Sequence, residues 1–473
     1  MKSKALLTDL YQLTMMQGYS KDGKLDKVAI FDVFYRGTNH AVACGLEQAL
    51  EYILNLRFEE SDINYLRSLK IFDEEFLKLL KDFKFSGDVY AIKEGSIIFP
   101  QEPFLTIKAR LFEAQLIETA LLAILNYQTL VASKAAKVVY AAKDKSVADF
   151  SLRRAQGFEA GVYSSRAAYI AGVSATSNVL AGKMFNIPVT GTHAHAWVMS
   201  FDSELEAFRA YAKAYPDSCL LLVDTYDTLN SGLPNAITVF KELVNMGHRP
   251  LGIRLDSGDL AYLSKRAREI LDEAGFKEVK IYASGDIDEN IIASLESQYA
   301  RIDGFGVGTK LVSNAETPSL NGVYKLAAIT EDGILVPKLK ASNTLGKITN
   351  PGFKKVVRIY DRRTKKAEAD LICLMEEDFD DLEELEIFDP RCTYKRKTLR
   401  NFYTKTLTTL VVKDGKLVYD LPSVKEIASF HKEAYGEFWD EYKRALNPQK
   451  YKVDLSQKLF DTKEELLRMC LLR

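Results

Sequence analysis

The 473 residues exceed what one hydrophobic core can serve, so the chain divides into two or three domains. Its 47% hydrophobic and 27% charged residues are those of a globular protein, and no stretch reaches the ~20 uninterrupted apolar residues of a bilayer span. A formal net charge of −1 excludes a global field for nucleic acid, so any anionic ligand is held locally. The five cysteines (Cys44, Cys219, Cys373, Cys392, Cys470) form no C-x-x-C pair and are expected as reduced thiols. Met1 to Gln17 lacks the charged-then-apolar pattern of a secretory signal, so the expected location is the cytoplasm, with no membrane partner.

In chain order, residues 28–36 are β-branched and aromatic and predict a strand, followed by helical periodicity from Gly45 to Phe83. Strand-like runs at Val89–Ile92 and Ser96–Ala109 complete a mixed α/β domain over 1–130. Leu111 to Ala142 is rich in Ala, Leu, Glu and Lys and predicts one or two buried helices that link domains. Strand-helix units then follow one another. Cys219–Val223 precedes a helix at Pro234–Met246, Leu251–Leu255 precedes a helix from Asp259, Val279–Ala283 precedes one after Asp288, and Ile302–Phe305 runs into Gly306. Consecutive β-α units imply a parallel sheet that right-handed crossovers close into a barrel over 131–350, with N-terminal segments able to complete it. The strand carboxyl ends, at Asp224, Asp256, Gly285, Asp286 and Gly308, are then expected to converge. A C-terminal extension over 351–473 reads as strand and then helix. Its acidic run Glu376–Asp381 and basic run Lys395–Arg400 are expected as solvated faces, and the segment from Ser423 as an amphipathic helical cap.

Several segments carry chemistry. Gly306-Val-Gly-Thr309 at a strand end offers bare N–H groups and a hydroxyl, which suits a phosphate, although a turn needing two glycines explains it equally. Arg254-Leu-Asp-Ser-Gly-Asp259 sets an arginine and two carboxylates around a turn; arginine matches a planar carboxylate, and Asp259 reads as a helix N-cap. Leu152-Arg-Arg-Ala-Gln-Gly157 places two cations together, which points to a polyphosphate as readily as to surface ion pairs. Gly191-Thr-His-Ala-His195 puts two of the five histidines in one loop. Zinc lacks a third ligand at metal-site spacing, so no metal ligand is assigned, whereas a neutral imidazole can attack a phosphoryl group. His193 reads as a partly buried polar residue. The run 220–228 superficially matches the phosphoribosyl pyrophosphate loop of Rossmann-like transferases, but Thr225 stands where the second acid belongs.

Together these segments resemble the nicotinate phosphoribosyltransferase family. The resemblance runs in order through Leu7-Thr-Asp-Leu-Tyr-Gln-Leu-Thr-Met15, Phe34-Tyr-Arg36, Ile124-Leu-Asn-Tyr-Gln128, Leu152–Gly157, Gly191–His195, Leu255–Asp259, Gly306–Thr309 and Asn447–Leu455. It implies a type II phosphoribosyltransferase with an irregular, open β/α barrel, an N-terminal α/β domain and a C-terminal extension. It also implies that nicotinate and 5-phosphoribosyl 1-pyrophosphate yield nicotinate mononucleotide and pyrophosphate, the first step of NAD salvage from nicotinate. The coupling is of ligase type, with ATP as co-substrate and Mg2+ as cofactor. By resemblance, His195 is the phosphohistidine, Thr192 and Arg254 hold nicotinate, Asp256 the ribose hydroxyls, Arg153 the pyrophosphate, and Gly285, Gly308 and Thr309 the 5-phosphate, with Asp286 a further substrate-binding residue. Tyr11, with Asp9 beside it, would stack on the pyridine ring from the partner in a homodimer with shared active sites.

Two alternatives stand beside this reading. A nicotinamide or quinolinate phosphoribosyltransferase would share the scaffold, but nicotinamide has no carboxylate and quinolinate has two. A non-catalytic nucleotide-binding barrel is disfavoured by the presence of Arg254, Asp256 and His195 together.

Overall fold

The strand expected at 28–36 forms as Val28–Tyr35, buried beyond its first residue because both of its faces are covered. It pairs antiparallel on one side with Leu105–Arg110 and on the other with Gly322–Glu331. The structure, a computed structural model, describes residues 4–314, 317–380 and 382–471; Met1 of the N-terminal segment and Asp381 of the acidic run lie outside the described residues. The chain divides into two units, Met1–Leu130 with Ser319–Arg473, and Val131–Pro318. Among the described residues no helix is long and apolar enough to cross a membrane.

The first unit is organised on a seven-stranded antiparallel sheet in the order Ile334–Pro337, Gly322–Glu331, Val28–Tyr35, Leu105–Arg110, Asp88–Ile92, Thr408–Lys413, Lys416–Leu417. The expected periodicity over 45–83 resolves into helices Leu46–Asn55, Glu60–Ser68 and Glu74–Lys81. The last starts where the Asp73 side chain accepts the N–H of Phe76 at 2.9 Å, and its Phe76, Leu77 and Leu80 are buried in the same core as Val89 and Ile107. Residues 319–350, expected with the barrel, lie in this unit because Gly322–Glu331 completes the hydrogen bonding of Val28–Tyr35. The expected extension likewise adds Thr408–Lys413 to this sheet and builds a second, four-stranded one in the order Phe402–Thr406, Lys354–Asp361, Ala367–Leu374, Val453–Leu455.

Two expectations for the C-terminal region change. Much of the basic run is the strand Arg396–Arg400, paired antiparallel with Glu384–Phe388. Alternation explains why it is not a wholly solvated face: Arg396 and Arg400 meet Glu386 and Glu384 outward, while Leu399 and Ile387 turn inward against Ile359 and Leu371. After Ser423 caps the helix Val424–Gly436 through a capping box, the chain is not helical throughout, since Val453–Leu455 inserts as a buried strand before the helix Gln457–Leu471.

The second unit is an open β/α barrel built on a six-stranded sheet, every pair parallel, in the order Ala175–Thr176, Ser146–Asp149, Gly304–Val307, Lys280–Ala283, Gly252–Leu255, Leu220–Leu222. The expected β-α units account for the last four of these strands. Helices Leu233–Asn245 and Leu260–Glu273 follow their strands and bury Val239, Phe240, Leu243, Ala267 and Leu271 against Leu221, Ile253 and Ile281. Asp259 is the N-cap expected, accepting the N–H of Tyr262 at 3.0 Å.

Candidate active site

Parallel strands deliver their carboxyl ends to one edge, and this edge collects Asp149, Thr176, Asp224, Asp256, Ser284, Gly285 and Gly308. The loop bearing the two histidines reaches the same edge, because Val189 bridges to Thr176 and Thr190 donates its N–H to the Thr176 carbonyl at 2.9 Å. Arg254, Asp256, Thr192 and His195 thus come together from separate segments.

Arg254 projects from the strand Gly252–Leu255. Its Nη1 donates to Thr192 Oγ1 at 2.9 Å and its Nη2 to the His193 carbonyl at 3.2 Å, while its buried Nε has no protein partner. Burial pulls its pKa below the usual arginine value; Asp256 and Asp224 oppose this, and the nearby Arg153 adds to it. The guanidinium is held at two corners with donors to spare, an arrangement suited to a planar anion.

The two histidines, one residue apart, occupy opposite environments. His193 is buried, accepts the N–H of Leu222 through Nε2 at 3.2 Å, and meets Tyr211 edge to face at 4.7 Å. Burial pushes its pKa down to about 4, so it is neutral and structural. His195 opens the short helix His195–Met199, with Nδ1 3.1 Å from Thr225 Oγ1 and Nε2 4.0 Å from Asp256 Oδ2, and its side chain is 41% exposed. One ring nitrogen is held and the other is open.

Asp256 is fixed from two sides. Ser284 donates its hydroxyl to Oδ1, and the Asp256 N–H donates to Asp224 Oδ2 at 2.9 Å, which also accepts the Ser257 hydroxyl at 2.7 Å. Asp224 Oδ1 is buried without a protein partner. Gly285 is required twice over, by φ +114° and because a Cβ would stand 2.7 Å from the Asp256 carbonyl oxygen. Gly306 serves packing, since a Cβ there would meet the Phe150 ring at 2.4 Å, whereas Gly308 and Thr309 stand at the strand's end, where the short helix Thr309–Ser313 begins. Gly285 and Asp286 are exposed.

Arg153 and Arg154 lie in the 3-10 turn Leu152–Arg154. Both are exposed, so no buried anion is needed to hold them. Asp9 and Tyr11 belong to the first unit, at the start of the helix Leu10–Lys21. Asp9 accepts the Thr119 hydroxyl at 2.9 Å; Tyr11 is 48% exposed, its phenol pushed up by partial burial and by Glu118 and Asp9.

Sequence reasoning noted Asp224 as a strand end without giving it a role, set Thr225 aside with the discarded loop motif, and passed over Phe150 and Ser284. The signal for all four was position: each stands within three residues beyond a strand. No group of three or more His, Cys, Asp or Glu among the described residues is placed to hold a metal. Asp224 and Asp256 offer hard oxygen donors of the kind magnesium takes while keeping most of its waters.

Three family profiles match in chain order: nicotinate phosphoribosyltransferase N-terminal domain over residues 6–126, the nicotinate phosphoribosyltransferase family over 145–356, and nicotinate phosphoribosyltransferase C-terminal domain over 353–463. A nicotinate phosphoribosyltransferase of Bacillus subtilis is 47% identical across 98% of this chain and 94% of its own length. One of Caenorhabditis elegans is 36% identical across 96% and 92%. The crystal structure of human nicotinic acid phosphoribosyltransferase superposes with a TM-score of 0.85 at 30% identity, covering 97% of this chain and 99% of that one. A nicotinate-nucleotide pyrophosphorylase of Pyrococcus furiosus shares the fold, with a TM-score of 0.70 at 22% identity.

Proposed function

This chain belongs to the nicotinate phosphoribosyltransferase family, and we propose from that premise how its own residues divide the work. The reaction joins the pyridine nitrogen of nicotinate to C1 of phosphoribosyl pyrophosphate: the C1–oxygen bond breaks, pyrophosphate leaves with the electron pair, and nicotinate mononucleotide forms. The observation that carries the assignment is one sheet edge assembling Arg254, Asp256, His195 and the Gly285 turn.

Arg254, already oriented by Thr192 and the His193 carbonyl, uses its remaining donors for the nicotinate carboxylate. Asp256 accepts from the ribose hydroxyls, held in place by Ser284 and Asp224. The main chain at Gly285, Asp286, Gly308 and Thr309 cradles the 5-phosphate, and Arg153 meets the departing pyrophosphate, where a fixed cation counters developing charge. Phe150 packs against Gly306 at the same edge. Asp224 and Asp256 would hold Mg2+, which when bound supplies charge stabilisation for the diphosphate.

His195 takes the γ-phosphoryl group of ATP on its ring, releasing ADP, and hydrolysis of that phosphohistidine drives synthesis forward. Its open ring nitrogen beside Asp256 supports this role. A homodimer with shared sites is supported by exposed apolar side chains in the second unit, where Val179, Leu180 and Met184 share one short helix and Val189 packs against its Gly182. Tyr11 then reaches the ring from the partner subunit.

Pyrophosphate release, measured with nicotinate, nicotinamide and quinolinate and with or without ATP, tests the assignment. Nicotinate should be preferred and ATP should raise the yield; equal turnover of nicotinamide would remove the role of Arg254. Co-refolding Tyr11→Ala with Arg254→Ala tests sharing, because each heterodimer then holds one intact site and should recover up to about half of wild-type activity.

A further inference from the structure

The substrate-binding segment Phe150–Arg154 leaves the sheet at Ser151, and what turns it there is a buried carboxylate. Phe150 still follows the strand ladder, donating its N–H to the Val307 carbonyl at 2.8 Å. The next amide, that of Ser151, has no strand partner and donates instead to Asp149 Oδ1 at 2.9 Å. The other oxygen of Asp149 accepts the hydroxyls of Ser165 and Thr176, each at 2.7 Å. Asp149 is 1% exposed, far from the reach of any solute. Its neighbours extend the tie: Asn178 donates to Ser165 Oγ at 3.2 Å and to the Gly161 carbonyl at 3.0 Å, and caps the next helix by accepting the Ala181 N–H at 3.2 Å.

We propose that Asp149 is a positioning residue for phosphoribosyl pyrophosphate, acting by fixing the turn that aims Arg153. A carboxylate that takes the first unpaired amide after a strand forces the chain into a side-chain-closed turn. From that turn the 3-10 segment Leu152–Arg154 starts, with the Arg154 N–H on the Ser151 carbonyl at 2.8 Å. The same carboxylate anchors the helix Phe158–Ile170 through Ser165 and the strand Ala175–Thr176 through Thr176, so the turn is referenced to two neighbouring elements of the barrel edge. Arg153 is close enough to Arg254 to disfavour its charge, which places the aimed group beside the site.

The inference rests on the transferase reading, and wild-type pyrophosphate release with nicotinate checks that reading first. The test proper is a double-mutant cycle of Asp149→Ala and Arg153→Ala, reading KM for phosphoribosyl pyrophosphate and kcat separately. Asp149→Ala should raise that KM by roughly tenfold with kcat within about threefold of wild type, and should add nothing further in the Arg153→Ala background. Asp149→Asn, which keeps an acceptor for the Ser151 N–H, should restore most of the loss. Should Asp149→Ala not fold, Ser165→Ala replaces it in the cycle, since it removes a hydroxyl that holds the same carboxylate. An unchanged KM, a loss of equal size with and without Arg153, or an Arg153→Ala variant with wild-type KM overturns the proposal.

Discussion

Each unit of the molecule contains a cluster of charges around an arginine, and the two clusters are finished differently. In the first unit Arg358, fully buried, donates from Nε and Nη2 to both oxygens of Asp370 at 2.8 and 2.6 Å and from Nη2 to the Ile97 carbonyl at 2.8 Å, under the Phe438 ring at 4.8 Å. Tyr451 closes the remaining side by donating to Asp370 at 3.0 Å, and burial together with Asp370 holds the neighbouring Glu102 carboxyl well above its usual range. In the second unit Arg254 keeps an unpartnered Nε, Asp224 an unpartnered oxygen, and His195 an open ring nitrogen. A closed cluster spends its hydrogen bonds on the fold; an open one keeps them for a ligand.

That contrast predicts opposite phenotypes. The largest effect is expected at the open cluster: His195→Ala should abolish acid-labile labelling from γ-labelled ATP while leaving weak ATP-independent transfer and an unchanged melting temperature. Full labelling of that variant would move the phosphoryl acceptor elsewhere. Next, Arg358→Ala strands a buried carboxylate and should cost about 3 to 5 kcal/mol in urea unfolding, since breaking a buried pair leaves its partner uncompensated. A loss under ~1 kcal/mol would show that water reaches Asp370 after all. Arg254→Lys should leave unfolding nearly untouched and weaken nicotinate binding by roughly 1.5 to 3 kcal/mol, read by equilibrium titration.

The smallest expected effect concerns pH. His193 in one unit and His431 in the other are buried and neutral, both pushed down to about 4. Unfolded histidines bind protons that these folded ones refuse, so their contribution is full above the ordinary value of 6.5 and is lost as pH falls through about 4. Urea midpoints measured across that window should therefore decline toward acid, and His431→Gln should flatten part of the slope. An unaltered slope in that variant would assign the acid loss to other groups.

Four of the six barrel strands were legible because they are short apolar runs leading toward Asp or Gly, whereas Ser146–Asp149 and Ala175–Thr176 were not, being too short and polar to stand out locally. The return of Gly322–Glu331 to Val28–Tyr35 was not, because pairing across most of the chain depends on which edge is vacant, and no local pattern encodes that. Arg254 and His195 stood out in the sequence because their chemistry is unusual for their places, and the structure brings both to one sheet edge. Ser284 and Thr225 were hidden because their roles arise from adjacency: Lys280–Ala283 lies beside Gly252–Leu255, which brings the Ser284 hydroxyl to Asp256. Burial separates His193 from His195, in line with the expectation of His193 as a partly buried polar residue.

The first unit is assembled from both ends of the chain, and this bears on how the protein is made. On a ribosome, Val28–Tyr35 emerges early but keeps one edge without its partner until Gly322–Glu331 has been synthesised. Residues 36–321, the whole of Val131–Pro318 among them, must be translated in between, which at ~5–20 residues per second is a wait on the order of fifteen to sixty seconds. Throughout that interval the second unit can finish folding while the first exposes an apolar strand edge of the kind that recruits chaperones or neighbouring nascent chains. Synonymous-codon or temperature changes that slow elongation across the barrel should thus lower soluble yield without altering the finished enzyme.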